Sequence, residues 1–137
     1  MPTRHPRRIF TLALTLAGAA LLSAVFGAAV PVLTQTKKDF SVTARKYSYK
    51  VEGSDKPEIR VQEGDLVRIT FSSEDIPHSF TIVDDDHYRI MRRVEAGKPV
   101  TFEFLADKAG RFTFRCTLRT DERCNELVGT LFVAAKR

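Results

Sequence analysis

The stretch Phe112–Val133, FTFRCTLRTDERCNELVGTLFV, decides the fold, because it carries a strand into a loop holding both cysteines of the chain and then into a second strand. Phe112, Phe114 and Cys116 alternate with Thr113 and Arg115. At a period of two the cysteine therefore continues the apolar face and points inward at a strand end. Seven residues separate it from Cys124, after which Gly129-Thr130-Leu131-Phe132-Val133 resumes an extended apolar pattern that returns the chain to a sheet. A loop bounded by sulfur and held between two core strands is either a metal loop or a disulfide loop.

The same alternation runs upstream. Val100, Phe102 and Phe104 form the buried face of one strand, and Asp107 to Gly110 turns from it into the strand ending at Cys116. His78, Phe80 and Ile82 share one face, so the histidine starts a strand in the inward register, and Asp84-Asp85-Asp86 ends it. Val67, Ile69 and Phe71 alternate with Arg68 and Thr70. With Ile59 and Val61 across the turn Glu63-Gly64-Asp65 they read as a hairpin. Phe40, Val42 and Ala44, then Tyr47 and Tyr49 after a change of phase, read as a first strand with a bulge or bend. Seven or eight short strands separated by frequent turns predict an all-β, Greek-key β-sandwich, with Phe71, Phe80, Phe102, Phe104, Phe112 and Phe114 between the sheets. No segment after residue 36 has a helical period.

The chain of 137 residues has room for one such domain, residues 37–137, and a leader, residues 1–36. Arg4, Arg7 and Arg8 precede an uncharged run from Ile9 to Thr36, mostly apolar over residues 9–33. At about 1.5 Å per residue that run is long enough for a helix to cross a bilayer. The arginines predict a cytoplasmic N-terminus and an exported domain. The run is an uncleaved membrane anchor or, given Gly27, Ala28 and Ala29 before Pro31, a cleaved signal peptide. Arg7-Arg8-Ile9-Phe10 is similar to the core of a twin-arginine export signal. Three of the 22 basic residues lie in this leader, leaving 19 against 17 acids whose signs alternate along the chain. Nucleic acid is therefore not an expected partner. Export exposes the cysteines to oxidising conditions, which favour a disulfide unless a metal or a reductase holds the thiols.

Residues 39–134 resemble the cupredoxins, and within them the periplasmic copper domain of cytochrome c oxidase subunit two and nitrous oxide reductase. The resemblance rests on I-x-V-x-x-G-D-x-V-x-I at Ile59–Ile69 and on D-V/I-x-H-S-F at Asp75–Phe80, whose histidine binds copper in that family. It continues in Gly97–Phe104 followed by the G-x-F-x-F-x-C of Gly110–Cys116, and in the closing strand at Gly129-Thr130-Leu131. The metal loop departs from the family. A dinuclear copper loop, C-x3-C-x3-H-x2-M, would need cysteine at Thr120, histidine at Cys124 and methionine at Leu127. A mononuclear blue-copper loop would need a histidine after its cysteine, and none follows His87. What the resemblance leaves is His78, Cys116 and Cys124 as ligands of one copper ion. Two thiolates and an imidazole suit Cu(I) better than Cu(II), or zinc if a fourth ligand closes the site. Glu126 is the nearest candidate for that ligand, and His87 a weaker one.

Each of these residues also has a structural reading. His78 fits a core-rim histidine bonded to a backbone carbonyl. Cys116 and Cys124 fit a disulfide, worth roughly 2.6 kcal/mol for a loop of about nine residues. His87, after three aspartates, fits an exposed turn that lacks the glycine and distal glutamate of a calcium loop. No Ser-His-Asp set, phosphate loop or H-E-x-x-H motif is present, so nothing in the chain carries a stand-alone catalyst. Two functions stand. One is an exported copper-binding protein for electron transfer or periplasmic copper handling, working with a redox or copper-donor protein. The other is a metal-free accessory module with a Cys116–Cys124 disulfide.

Overall fold

The computed structural model describes Gly27, residues 35–83 and residues 85–137, and the fold lies in the second of two compact units, Leu33–Arg137. The expected leader helix over residues 9–33, its flanking arginines and Asp84 lie outside the described residues. Among the described residues no helix is long and apolar enough to cross a membrane.

The described residues form a β-sandwich of nine strands. Strands β1 (Lys37–Arg45), β2 (Ser48–Val51), β4 (Leu66–Ser73) and β7 (Val100–Leu105) make one sheet in the order β2-β1-β4-β7. Strands β3 (Glu58–Gln62), β5 (His78–Ile82), β6 (Met91–Val94), β8 (Gly110–Arg115) and β9 (Val128–Ala134) make the other, in the order β3-β9-β8-β5-β6. Strand β1 runs parallel to β4, and β3 parallel to β9, so sequential strands cross between sheets in the Greek-key manner.

Alternation places the core. In β4, Val67, Ile69 and Phe71 are fully buried, whereas Arg68 and Thr70 face water. Phe80 stacks on Phe114 with ring centroids 4.4 Å apart, and Phe71 and Phe102 approach Phe80 at 6.0 and 5.5 Å. These rings close the space between the sheets and supply much of the apolar burial that holds them together.

The structure corrects three expectations. The stretch from Ile59 to Ile69 is no hairpin: β3 and β4 belong to different sheets, and the turn at Gly64 is an arch over the sandwich edge. The change of phase near Tyr47 is a true reversal, with β1 and β2 paired antiparallel from Val42↔Val51 to Arg45↔Ser48. Phe104, on β7, the edge strand of its sheet, is only partly buried and rests against Tyr88. Strand β6 adds to the expected count. Its sequence MRRV buries only Val94 and so carries no alternation signal, and its arginines guard an open sheet edge.

Candidate metal centre

Strands β5 and β8 are antiparallel neighbours, paired at Thr81↔Arg115 and Ile82↔Phe114. The first residue of β5 and the residue just after β8 therefore meet at one pole of the sandwich. His78 and Cys116 occupy those two positions, both fully buried. The chain then loops through residues 117–123 into a single 3-10 turn, Cys124–Glu126, which brings back Cys124, 1% exposed. Hydrogen bonds from Cys116 N–H to the Leu127 carbonyl and from Leu127 N–H to the Cys124 carbonyl close the loop. One ligand atom each from His78, Cys116 and Cys124 lies within 4.8 Å of the others. The two cysteines are joined by a disulfide, with Cα atoms 5.3 Å apart.

The histidine is held in a defined orientation. Its Nε2 lies 2.7 Å from Oδ1 of Asp75, so the ring is bonded to a carboxylate and not to a backbone carbonyl. Burial opposes ionisation of Asp75, but N–H donors from Lys46 and Ile76 and the bond to His78 outweigh it and hold the carboxyl below its usual range. An ionised carboxylate facing Nε2 calls for a proton there, and in the neutral ring the lone pair then lies on Nδ1. Nδ1 is buried and has no hydrogen-bond partner. An orphaned acceptor in a fully buried ring is costly unless something binds it.

The sulfur side is equally constrained. Ser79 N–H points at Cys116 Sγ from 3.4 Å. Thr117 N–H donates to Ser79 Oγ at 2.8 Å, and the Tyr49 hydroxyl donates to the Ser79 carbonyl from within the core. Burial pushes the Tyr49 hydroxyl far above its ordinary pKa, so it acts only as a neutral donor.

The β1–β2 turn ties both halves of the pole together. Lys46 N–H donates to Asp75 at 2.6 Å, and the neighbouring Tyr47 places its hydroxyl 3.1 Å from Asp121 and its ring 4.1 Å under the Arg123 guanidinium. Arg123 in turn grips Glu126 through two bonds of 2.8 and 2.7 Å. The bond to Arg123 lowers the Glu126 pKa and raises that of Arg123. Glu126 is therefore exposed and engaged, outside the His78–Cys116–Cys124 cluster. His87 is also elsewhere, exposed and 2.6 Å from Asp107. Sequence reasoning named Asp75 within its motif without giving it a role, and it passed over Tyr47, Asp121 and Arg123. The available signal for Asp75 was a carboxylate three residues before a candidate ligand. A cavity of about 430 Å³ is lined by Cys116 and by several loop residues between Thr117 and Asn125.

No family model matches the chain, and no curated protein does. Solved structures do. A chain of a heme-copper terminal oxidase dimer aligns with a TM-score of 0.60 at 19% identity, over 73% of this chain and 65% of that one. The periplasmic domain of cytochrome oxidase subunit II from Bradyrhizobium japonicum aligns at 0.57 and 12% identity, covering 72% and 84%. Auracyanin A, a "blue" copper protein of Chloroflexus aurantiacus, aligns at 0.56 and 17%, covering 71% and 98%. The chain has the cupredoxin fold. It spans about two thirds of the terminal oxidase chain and about a third of a multicopper oxidase from Pseudomonas thermotolerans, 31%.

Within the cupredoxin fold, the donor set at this pole fits copper in one redox state. As thiolates, Cys116 and Cys124 would join His78 Nδ1 as three soft donors within reach of one ion. As a disulfide the sulfurs carry no charge and are poor ligands, so only the reduced protein meets the requirement.

Proposed function

We propose that this protein is an exported copper-binding protein whose reduced form holds one Cu(I) ion through His78, Cys116 and Cys124, and whose disulfide form is its metal-free state. The observation that carries this reading is His78 Nδ1: buried, unpartnered, and turned free by the Asp75 bond beside two sulfurs. A structural histidine in that position would have both nitrogens satisfied.

When bound, copper supplies one-electron chemistry. The residues of the chain decide which oxidation state they favour. Two thiolates with one imidazole stabilise Cu(I), and Leu127, buried where the dinuclear loop has methionine, offers no axial donor. That balance supports copper holding and delivery at least as strongly as repeated electron transfer. The solved neighbours in fold include a heme-copper terminal oxidase, the periplasmic domain of a cytochrome oxidase subunit II and a "blue" copper protein, which supports an extracytoplasmic site of action; the partner this reading calls for is a redox or copper-donor protein. The apolar run of residues 9–33 would deliver the domain there and, if uncut, keep it at the membrane.

A competition titration tests the proposal. Reduced full-length protein is expected to retain one Cu(I) against a chelating competitor, the oxidised protein none. His78→Ala should lose most of the affinity while still forming the disulfide, and Cys124→Ala should lose both. Equal retention by wild type and His78→Ala would overturn the site. Failure of the reduced wild type to retain copper would leave the metal-free accessory module, which the Cys116–Cys124 bond itself favours.

A further inference from the structure

The outer face of the β3-β9-β8-β5-β6 sheet has a feature that neither the copper site nor the fold uses. Among the described residues the large apolar side chains left exposed are Val83, Met91, Leu105 and Val128. Three of the four gather on this one face. The pairing registers Val128↔Arg115, Arg115↔Thr81 and Thr81↔Met91 set Val128, Arg115, Thr81 and Met91 side by side in one row across four strands. Val83 lies directly after β5, bonded through its N–H to the Thr113 carbonyl of β8. Within the row, between Val128 and Thr81, stands Arg115, whose Nε is buried and has no hydrogen-bond partner. Arg115 is also the residue directly before Cys116.

The rest of the face is basic. Arg60 and Arg93 are paired with Glu58 and Glu95. Among the described residues Arg111 has no carboxylate partner and, like Arg60, lies over the Phe132 ring. Among those residues the face thus carries two guanidinium groups without a carboxylate partner, one of them desolvated at Nε. Nε is closed off by the chain's own atoms, so an incoming acceptor pairs with the terminal nitrogens of the same half-buried guanidinium.

We propose that this face docks a partner protein presenting a carboxylate, ringed by apolar side chains, to Arg115. Charge decides among occupants. A second copy would set arginine against arginine across a two-fold axis, and an anionic lipid surface would meet Glu58 and Glu95 as well as the arginines. A protein carboxylate satisfies the fork of one guanidinium directionally, while Val83, Met91 and Val128 exclude water around it. That the partner exchanges copper or electrons rests on the function proposed above, since Arg115 adjoins Cys116. The surface itself does not depend on that function.

The test uses full-length, disulfide-form, ¹⁵N-labelled protein in nonionic micelles, which holds no copper, so its outcome is independent of the metal site. The probes are two synthetic helical peptides of identical leucine content, one carrying glutamates and the other glutamines at the same positions. The glutamate peptide is expected to shift the amide resonances of Thr81, Met91, Arg115 and Val128, with an affinity that falls as salt rises. Arg115→Gln is expected to weaken it about tenfold or more. Met91→Ser, at a side chain already 64% exposed and so without consequence for folding, should weaken it several-fold. Equal binding of the two peptides, shifts confined to other surfaces, or undiminished binding by both variants would overturn the proposal. So would self-association through this face, or binding of anionic phospholipid vesicles that displaces the peptide.

Discussion

Among single residues, copper binding at this pole turns on which nitrogen of His78 is free. Asp75 decides that by holding Nε2 at 2.7 Å, and Lys46 and Ile76 hold Asp75 in turn. Removing the carboxylate by Asp75→Ala leaves the ring in place in the core but lets either tautomer form. The expected result is a fall of about 10- to 100-fold in Cu(I) affinity with the disulfide still able to form. Unchanged affinity in that competition assay would mean that Asp75 does not orient the ring. That His78 and Cys116 meet at one pole was legible in the chain because alternation placed both inward at strand ends, whereas Cys124 joined them only through the family resemblance. The place of Glu126 was not legible, because closeness in sequence to Cys124 says nothing about direction around a 3-10 turn, and that turn sends it to Arg123.

At the scale of elements, two contacts set the geometry of the pole. The β1–β2 turn bridges the His78 side through Lys46 and the cysteine loop through Tyr47. Arg123→Ala frees the loop from the Tyr47 ring and from Glu126. Amides of residues 117–126 should then exchange faster, with little change in the thermal midpoint, since the contacts are at the surface. A loop whose exchange did not respond would be held by its closing backbone bonds alone. Beneath it, Gly129 faces Phe114 across the β8–β9 pair, and a Cβ there would collide with the ring. Gly129→Ala should cost about 1 to 3 kcal/mol in urea denaturation, and a neutral result would show that Phe114 can move aside. Strands with strict alternation, β4 and β8, could be read from the sequence. The pairing of strands could not: the compact Glu63-Gly64-Asp65 turn suits a hairpin and an inter-sheet arch equally, and only the burial of both sheets chooses between them.

At the scale of the whole molecule, two sheets close over an aromatic core and leave one pole for the site. Phe102 is 6% exposed and touches Phe80, so Phe102→Ala should remove about 3 to 5 kcal/mol of stability. An unmoved midpoint would contradict the register of β7. Phe104 lies partly buried on the same strand and should tolerate truncation better, a distinction that alternation alone cannot draw because it knows the face of a strand and not how fully each residue of that face is covered. The arginines before the run of residues 9–33 predict that a reporter fused after Arg137 is active only outside the cytoplasm, and cytoplasmic activity would refute export.

If copper binds at this pole, metal and disulfide are alternative states of one loop, since sulfurs near enough to share an ion are near enough to bond to each other. Alkylation of reduced full-length protein, counted by mass before and after one equivalent of Cu(I), tests it most directly. Two reactive thiols are expected without copper, none with it, and two in both conditions for His78→Ala. Thiols that react as readily with copper present in the wild-type protein would contradict it.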